Sequence, residues 1–398
     1  MLFKIACKTI KRNGFMNVIV VIQISIIMII SFITVSSVCS RYTYYNMFKE
    51  YFSSQKGFFW VSTDMVNSDM VTMLKSEELM KKFPEAKKAI SCHKVWVENS
   101  NDNMHYISYD REIVENFYPT LQKGKWISAN SETVEAVVTQ NRLGYDVGDK
   151  ITLFPAFHED MPIEVTIVGV LEENAAIPGF YGEIRNNPSF RHFYINYNSD
   201  YEGVPALIMS YDVLSQYDYL TQQLAYKGFI IFDDSTSDER MSEVGKELSN
   251  MNCSYICDTA EIKKNSMSYI LGEVYILLPV IISVFILSCT SLISLSAIAV
   301  KQELHNYTVF AICGLEWKRC IAINTLASLI MIACSILLTA LLGIFAYVLG
   351  ITKNMLLIFN FYTISTILLT ALIFVLVSTI MPAILISNLT PKQIIAKE

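Results

Sequence analysis

Four long apolar runs divide the chain, and polar stretches separate them. The first covers residues 15–39 without a charge, and the others cover 269–300, 320–349 and 355–386. A helix of about 20 residues crosses a hydrocarbon core about 30 Å thick. The pattern therefore predicts four transmembrane helices. The first is expected to be a retained anchor, because its apolar run is longer than that of a cleaved signal peptide.

Basic residues near the ends of these runs predict the orientation of the chain. Lys and Arg residues precede the first run and follow the last, and Lys301, Lys318 and Arg319 lie between the second and third. Cytoplasmic flanks are enriched in such residues, so we expect a plasma-membrane protein with both termini in the cytoplasm. The remaining segments are then a cytoplasmic N-terminus (1–14), a large external region (40–268), a cytoplasmic connection (301–319), an external turn (350–354) and a cytoplasmic tail (387–398).

The external region has the pattern of an α+β domain. Strand–helix–strand patterns stand near both of its ends, at 57–63, 76–83 and 89–97 and again at 227–233, 237–250 and 254–257. These sets predict one split α/β unit, and helical spacing beside the first two apolar runs predicts stalk helices, the second starting near residue 260. The predicted fold class is an α-helical membrane protein with four transmembrane helices and an α+β extracytoplasmic domain inserted between helices 1 and 2.

The middle of the external region is richer in strand and turn signals. Residues 162–171 predict a pair of strands interrupted by Gly169, and residues 173–190, dense in Gly, Pro and Asn, predict a long exposed loop. Ile177, Phe180 and Tyr181 are apolar residues within that loop. We expect them to pack beneath it rather than to contact a ligand.

Composition and charge fit a membrane protein. The 398 residues are 53% hydrophobic and 17% charged, too apolar for a soluble enzyme of this length. Residues 41–268 carry 33 acidic and 21 basic side chains, a net charge of −12. A field of this sign favours cationic peptides, although solubility alone also explains it. Three external cysteines, Cys92, Cys253 and Cys257, are an odd number that does not indicate a disulfide framework.

No catalytic or metal-binding pattern stands out in the sequence. The five histidines lie in different segments without metal-ligand spacing, and the chain has neither an HExxH motif nor a P-loop. The apolar runs lack ionisable residues at their centres, which disfavours an ion-coupled transporter. We therefore expect no enzyme activity, no cofactor or metal and no nucleic-acid partner, with any ATP hydrolysis in a separate subunit.

The polar connection between the second and third runs reads KQELHNYTVFAICGLEWKR. It has a short helical pattern that ends at a glycine, and it suits docking of another protein better than it suits chemistry. The candidate docking residues are Lys301, Glu303, His305, Tyr307, Phe310, Gly314, Lys318 and Arg319.

Several motifs, together with this layout, resemble the FtsX-like, MacB-type permeases of ABC transporters. The external segments LQKGKW, LGYDVGDKITLF and EVTIVGVL are similar to the family's G-[RK]-x motif, LG-x-x-x-G-D-x-I pattern and VVGV strand. The family's cytoplasmic connection carries a basic residue, a glutamate and a later glycine, as Lys301, Glu303 and Gly314 do here. The aromatic residues of this connection depart from the family's Leu- and Ala-rich pattern. The external residues that match are Gly124, Gly144, Gly148, Asp149 and Gly169.

The resemblance implies a dimer of permeases on a dimer of ATP-binding subunits, which bind ATP and Mg²⁺. Closure of those subunits would pass through the cytoplasmic connection and the stalk helices to the external domain. The substrate would be a peptide or lipid-linked molecule that is exported or removed, such as an antimicrobial peptide. The alternative is a signal transmitter that regulates an external cell-wall hydrolase or a sensor kinase. Expected partners are the ATP-binding subunit, a second permease copy or homologue, membrane lipid, and a peptide or external protein.

Small residues on the second apolar run indicate where a dimer would form. Ser288, Ser291 and Ala297 would allow two helices to approach closely. Packing within one chain is an equally good interpretation of the same residues.

Overall fold

The structure is a computed structural model, and it describes most of the chain. The described residues are 2–12, 14–62, 75–95, 97, 104–139, 144–155, 160–172, 175–179, 187–194, 205–217, 223–251, 253–312, 317–349 and 358–387. They form two compact units. The helical unit comprises Met1–Arg41 and Leu271–Glu398, and the sheet unit comprises Tyr42–Ile270.

The secondary structure combines long helices with short helices and strands. The helices are α1 Leu2–Arg12, α2 Gly14–Met47, α3 Lys49–Phe52, α4 Ser76–Lys82, α5 Arg111–Asn116, α6 Tyr211–Leu214, α7 Asp238–Ser249, α8 Thr259–Ile312, α9 Trp317–Val348 and α10 Phe361–Ser387. The strands are β1 Gly57–Ser62, β2 Ala86–Val95, β3 His105–Tyr109, β4 Leu121–Gly124, β5 Val134–Val138, β6 Lys150–Leu153, β7 Ile163–Leu171, β8 Ala206–Ser210, β9 Gln223–Phe232 and β10 Cys253–Asp258. A 3₁₀ turn covers Phe190–His192.

Helices α2, α8, α9 and α10 are each long and apolar enough to cross a membrane. Helix α2 continues beyond its apolar run to Met47, and α8 covers Thr259–Ile312. The helical extensions predicted beside the first two apolar runs are therefore confirmed, including the start of the second near residue 260. The helical spacing continues on the polar side of each apolar run, so the hydrogen-bonded ladder continues too. Helix α10 begins at Phe361 rather than at 355, and the predicted external turn at 350–354 lies outside the described residues.

The predicted N-terminal tail is also helical where it is described. Residues Leu2–Arg12 form α1, which ends in Lys11 and Arg12. Basic residues in a last turn interact favourably with the negative end of the helix dipole. The basic residues of this segment were predicted to mark its side of the membrane, and its helix was not predicted.

Apolar side chains from all four long helices form the core of the helical unit. The α2 residues follow the i, i+4, i+7 spacing of one helix face. The ring centroids of Phe285 in α8 and Phe374 in α10 lie 5.3 Å apart. The buried members of this cluster are Val20, Ile24, Ile27, Met28, Leu292, Leu295, Ile332, Ala371 and Phe374.

Serine hydroxyls bond α2 to the chain around α9 and α10. Ser25 Oγ donates to the Ser335 carbonyl at 3.1 Å, and Ser335 Oγ donates to the Val21 carbonyl at 3.2 Å. Farther along α2, the amide of Ile358 donates to Ser36 Oγ at 2.6 Å. Small hydroxyl side chains let helix backbones approach closely in an apolar medium.

The proposed dimer face is only partly open. The side chain of Ser288 is fully buried inside this chain, so it does not lie on a free helix surface. Its prediction as a dimer contact is therefore wrong, and packing within one chain explains it. Ser291 and Ala297 are half-buried.

The sheet unit contains a ten-stranded mixed sheet. Its strand order is β10-β1-β9-β2-β3-β8-β5-β7-β4, with β6 also paired to β7. The β3–β8 and β5–β7 pairs are parallel and the other pairs are antiparallel. Strands from the two ends of the external sequence alternate within the order β10-β1-β9-β2. The predicted split α/β unit is therefore confirmed.

Most predicted elements of the sheet unit are present, but one was predicted wrongly and some strands were not predicted. Helix α7 starts at its predicted cap, because Ser237 Oγ accepts a hydrogen bond from the Arg240 amide at 3.2 Å. Strand β7 runs without interruption through Gly169, so the predicted strand pair is one strand. Strands β3 and β8 were not predicted, although they join the two ends of the sheet.

Candidate functional site

The predicted cytoplasmic connection is helical over most of its length. Lys301, Glu303, His305, Tyr307 and Phe310 lie on α8, and Lys318 and Arg319 lie on α9. Gly314 lies outside the described residues. The short helical pattern predicted within residues 301–319 is present: helix extends as far as Ile312 and begins again at Trp317. Residues 301–312 contain neither Gly nor Pro to stop α8.

The external glycines predicted from the motifs meet around β7. Gly124 in β4 pairs with Gly169 in β7, and the Lys125 amide donates to the Val168 carbonyl at 2.9 Å. A Cβ on Gly124 would stand 2.1 Å from the Val168 carbonyl oxygen, and one on Gly169 would stand 2.4 Å from that of Lys125. The two backbones can approach this closely only because both residues are glycine.

Gly148 and Asp149 form a turn that bonds to the same strand. The Gly148 amide donates to the Ile167 carbonyl at 2.8 Å, and the Ile167 amide donates to the Asp149 carbonyl at 2.9 Å. The Asp149 carboxylate accepts from the Asp146 amide at 2.8 Å. Gly148 and Gly144 have φ angles of +96° and +80°. The external motif therefore shapes backbone rather than presenting chemically reactive groups.

A second site connects the helical ends of the sheet unit to its sheet, and the sequence did not reveal it. Its centre is the junction segment, Ser189–Tyr194, which contains the 3₁₀ turn. Aromatic rings from α2, α3, β1, β9, this segment and the residue after α5 pack together with centroid distances of 4.9–6.4 Å. The rings are those of Tyr45, Phe48, Tyr51, Phe52, Phe59, Phe117, Phe190, Phe193, Tyr194 and Phe229.

Three hydrogen bonds attach the junction segment to different elements. The Phe190 amide donates to Ser266 Oγ in α8 at 2.9 Å. The Tyr194 hydroxyl donates to the Tyr44 carbonyl in α2 at 2.8 Å. Between them, Lys227 Nζ in β9 donates to the His192 carbonyl at 2.8 Å. One short segment is therefore bonded to both long helices and to the sheet.

Contacts to α8 extend this attachment through side chains. The Arg191 guanidinium lies 5.0 Å from the ring centroid of Tyr269, and the ring centroids of Phe190 and Tyr269 are 5.7 Å apart. A guanidinium over an aromatic face contributes about 0.5–2 kcal/mol, more where water is excluded.

The junction includes a buried lysine. Lys227 is 1% exposed, and burial lowers the pKa of its ammonium to about 8, because desolvation disfavours the charged form. Cys92 is its neighbour across the sheet, and burial raises the pKa of that thiol. For Lys227, the one signal available in the sequence was its position at the start of the apolar strand segment KGFIIF.

A buried histidine–aspartate pair lies on the adjoining strand. His93 Nε2 lies 2.6 Å from Asp110 Oδ1, and the Ser91 amide donates to Asp110 Oδ2 at 2.6 Å. The His93 ring stacks on Tyr211 with centroids 4.5 Å apart. Asp110 precedes α5, so this pair fixes the start of that helix.

Helix α5 in turn reaches α3 at the edge of the junction. Lys88 Nζ donates to Glu112 in α5 at 3.1 Å and to Glu50 in α3 at 2.9 Å, while the Tyr51 hydroxyl donates to Glu112 at 3.2 Å. The exposed parts of this network contribute little stability individually, but they link three elements in one geometry.

The described residues of the loop predicted at 173–190, which are 175–179 and 187–190, are mostly buried rather than exposed. Ile177 is buried, which confirms its predicted packing beneath the loop, and Phe190 is also buried. Phe180 and Tyr181 lie outside the described residues. Across the described part of the chain, no three His, Cys, Asp or Glu side chains are placed to hold a metal ion.

The structure is similar to three solved domains of transporter or permease proteins. For the periplasmic region of MacB from Actinobacillus actinomycetemcomitans, the identity is 8% and the TM-score 0.28, over 53% of this chain and 92% of that one. For the extracellular domain of the noncanonic ABC-type transporter YknZ from Gram-positive bacteria, the identity is 10% and the TM-score 0.27, over 50% of this chain and 91% of that one. For a domain of a permease protein from Porphyromonas gingivalis, the identity is 13% and the TM-score 0.25, over 50% of this chain and 82% of that one.

No protein-family profile matches the chain, and no curated protein matches it in sequence.

Replacing Gly124 by alanine should destabilise the sheet unit by about 3 kcal/mol or more, because the new Cβ meets a backbone oxygen. Gly144→Ala is the matched control. Gly144 has a similar positive φ but no heavy atom within 4 Å of an added Cβ, so only the conformational cost of about 1–2 kcal/mol applies. Denaturant unfolding followed by tryptophan fluorescence measures the free energy of unfolding of both variants. If Gly124→Ala and Gly144→Ala lost the same amount, the close approach of β4 and β7 would be contradicted.

Raising the pH from 7 to 10 should make the contribution of Lys227 to the stability of the sheet unit more favourable. The unfolded chain keeps this proton up to the ordinary lysine pKa of 10.5, whereas the folded state releases it near 8. Between these values the unfolded state binds more protons, so this residue adds about 2–3 kcal/mol to the free energy of unfolding. Cysteines whose pKa is raised by burial act in the opposite direction over the same range, so the measured quantity is the difference between the wild type and Lys227→Met. In denaturant unfolding, this difference should shift by about 2–3 kcal/mol in favour of the wild type between the two pH values, and Lys87→Met, an exposed control, should follow the wild type. A difference that does not change with pH would rule out Lys227 as its source.

Proposed function

We propose that this chain is the permease subunit of an ABC transporter and transmits movement from a separate ATP-binding subunit to its external α+β unit. Four helices that are long and apolar enough to span a membrane support the proposal. Two sets of motif residues, which follow one another in the order typical of such permeases, also support it. They are Lys301, Glu303 and Gly314 in the predicted connection, and Gly144, Gly148 and Asp149 in the external turn. ATP and Mg²⁺ would be bound by the partner subunit, since this sequence has no P-loop.

The junction segment is the observation that carries this proposal. Helices α2 and α8 each run from an apolar segment to a residue that bonds to the junction segment, Tyr44 with Tyr194 and Ser266 with Phe190. Helix α8 contains Pro279, where an interior proline removes one hydrogen bond of the helix. Displacement of either helix would meet a packed aromatic core, which does not absorb it by deforming. Movement of either helix would therefore reach the sheet through Lys227 and the ring cluster.

The docking site for the ATP-binding subunit would be the end of α8 and the start of α9. Lys301 and Gln302 are exposed at this end of α8. Glu303 would pair with a basic groove on the partner, and Gly314 would allow the tight turn before α9. A second copy of this chain would complete the assembly.

The substrate class that we propose is a cationic peptide or a lipid-linked molecule, exported or removed at the external side. The net charge of −12 over residues 41–268 would concentrate cations near the external unit. An intramembrane ion path is not part of the proposal, because the apolar runs carry no ionisable residue at their centres.

Charge reversal at the docking site tests the role of the partner subunit. The partner in this test is an ATP-binding subunit encoded beside this chain. We expect Glu303→Lys and Gly314→Val to abolish either its co-purification with this chain or its substrate-stimulated ATP hydrolysis. The sheet unit should keep its unfolding midpoint, and Glu239→Lys, an exposed control in α7, should behave like the wild type. Full stimulated hydrolysis in both variants would overturn this docking site.

Removing two bonds of the junction segment tests transmission itself. Ser266→Ala combined with Tyr194→Phe deletes one hydrogen bond to α8 and one to α2 while leaving the ring contacts in place. Substrate stimulation of ATP hydrolysis should fall on the order of 10-fold, with basal hydrolysis unchanged, because such coupling contacts carry about 0.5–2 kcal/mol. Ser268→Ala is the control, since Ser268 Oγ bonds only within its own helix, to the Lys264 carbonyl. Unchanged stimulation in the double variant would exclude the junction as the route.

A further inference from the structure

Helix α1 has two chemically distinct sides. Its eleven residues, LFKIACKTIKR, include four basic residues and no acidic one. With a period of 3.6 residues, Phe3, Cys7, Lys11 and Lys8 follow one another around the open part of the helix, while Ile5, Ala6 and Ile10 pack inside the helical unit. This is the pattern of a helix that lies along a membrane surface rather than across it.

One edge of α1 is packed inside the helical unit. Ala6 is fully buried in a cluster with Val300 of α8 and with Ile323 and Ala327 of α9. Arg12 Nη2 donates to Gln302 Oε1 of α8 at 2.9 Å, and Asn17 Nδ2 donates to the Ile10 carbonyl at 2.8 Å. These contacts hold α1 in a fixed orientation, so its remaining surface is preformed.

The open surface of α1 combines apolar and basic groups. Phe3 is 60% exposed and Cys7 is exposed beside it, one helical turn away. Lys8 and Lys11 are exposed as well. Just beyond the helix, Phe15 is 79% exposed at the start of the membrane-length helix α2. On the open surface of α1, Phe3 and Cys7 are thus suited to contact acyl chains, and Lys8 and Lys11 are suited to contact headgroups.

We propose that α1 is an interfacial helix whose partner is the anionic phospholipid headgroups of the leaflet on which it lies. Phe3 and Cys7 would contact acyl chains, and Lys8 and Lys11 would bind headgroup phosphates. Charge complementarity favours a lipid surface, because each basic group near an anionic membrane adds a similar attraction and α1 has no acidic residue to offset it. Through the Arg12–Gln302 bond, the bound surface also holds the polar end of α8 in place.

Amide hydrogen exchange of the full-length chain in nanodiscs tests this proposal. One set of discs holds phosphatidylcholine alone, and the other holds phosphatidylcholine and phosphatidylglycerol in equal parts. Protection of residues 2–12 should be about 20-fold higher in the anionic discs for the wild type. Lys8→Gln with Lys11→Gln should remove most of that gain, and Phe3→Ser should lower protection in both lipid mixtures. Protection of α8 and α9 peptides reports that each variant is folded.

The matched control is Lys263→Gln with Lys264→Gln, an equal charge change within the sheet unit, which should keep the full gain. Equal protection of the wild type in both lipids would overturn the proposal, as would a gain that the Lys8 and Lys11 substitutions leave intact. A gain reproduced in neutral detergent micelles by glycerol phosphate would also overturn it, because the ligand would then be a soluble phosphate rather than a bilayer.

Discussion

The packing of aromatic rings around the junction segment is the constraint on which the sheet unit depends. Ten rings exclude water from Ser189–Tyr194, so a backbone carbonyl there cannot be left to solvent. Lys227 supplies the missing donor to His192, at the cost of burying an ammonium group. The arrangement is stable because ring burial offsets that desolvation. An apolar residue at position 227 would relieve the charge but leave the carbonyl unpaired.

The glycine turn and the junction lie in different parts of the same sheet and restrict it in different ways. At β4 and β7, contact between backbones leaves no room for a side chain. At β9 and β2, side chains fill the space, and Lys227 is paired with the His192 carbonyl. Strands β3 and β8 pair in parallel between these regions, so the sheet is continuous from one to the other.

Much of the fold follows from local pattern, and the junction does not. The four apolar helices and the strands at both ends of the external sequence carry their periodicity in consecutive residues, so they were predicted. Ser237 marks the start of α7 by its own chemistry. The junction joins Tyr44, Phe190, Lys227 and Ser266, and nothing in the residues near each one indicates the other three. The motif glycines were predicted as a group, but only the register of β4 on β7 explains Gly124 and Gly169. The close packing of Ser288 was likewise set by neighbours distant in sequence.

The serine bonds between α2 and α9 determine which relative movements these helices can make. Ser25 and Ser335 each place a hydroxyl within hydrogen-bond distance of a carbonyl of the opposite helix and share it with a carbonyl of their own helix. Sliding by one residue, about 1.5 Å, would break both contacts between the helices at once, whereas tilting of the two helices together breaks neither. We therefore expect α2 and α9 to move together rather than to slide past each other.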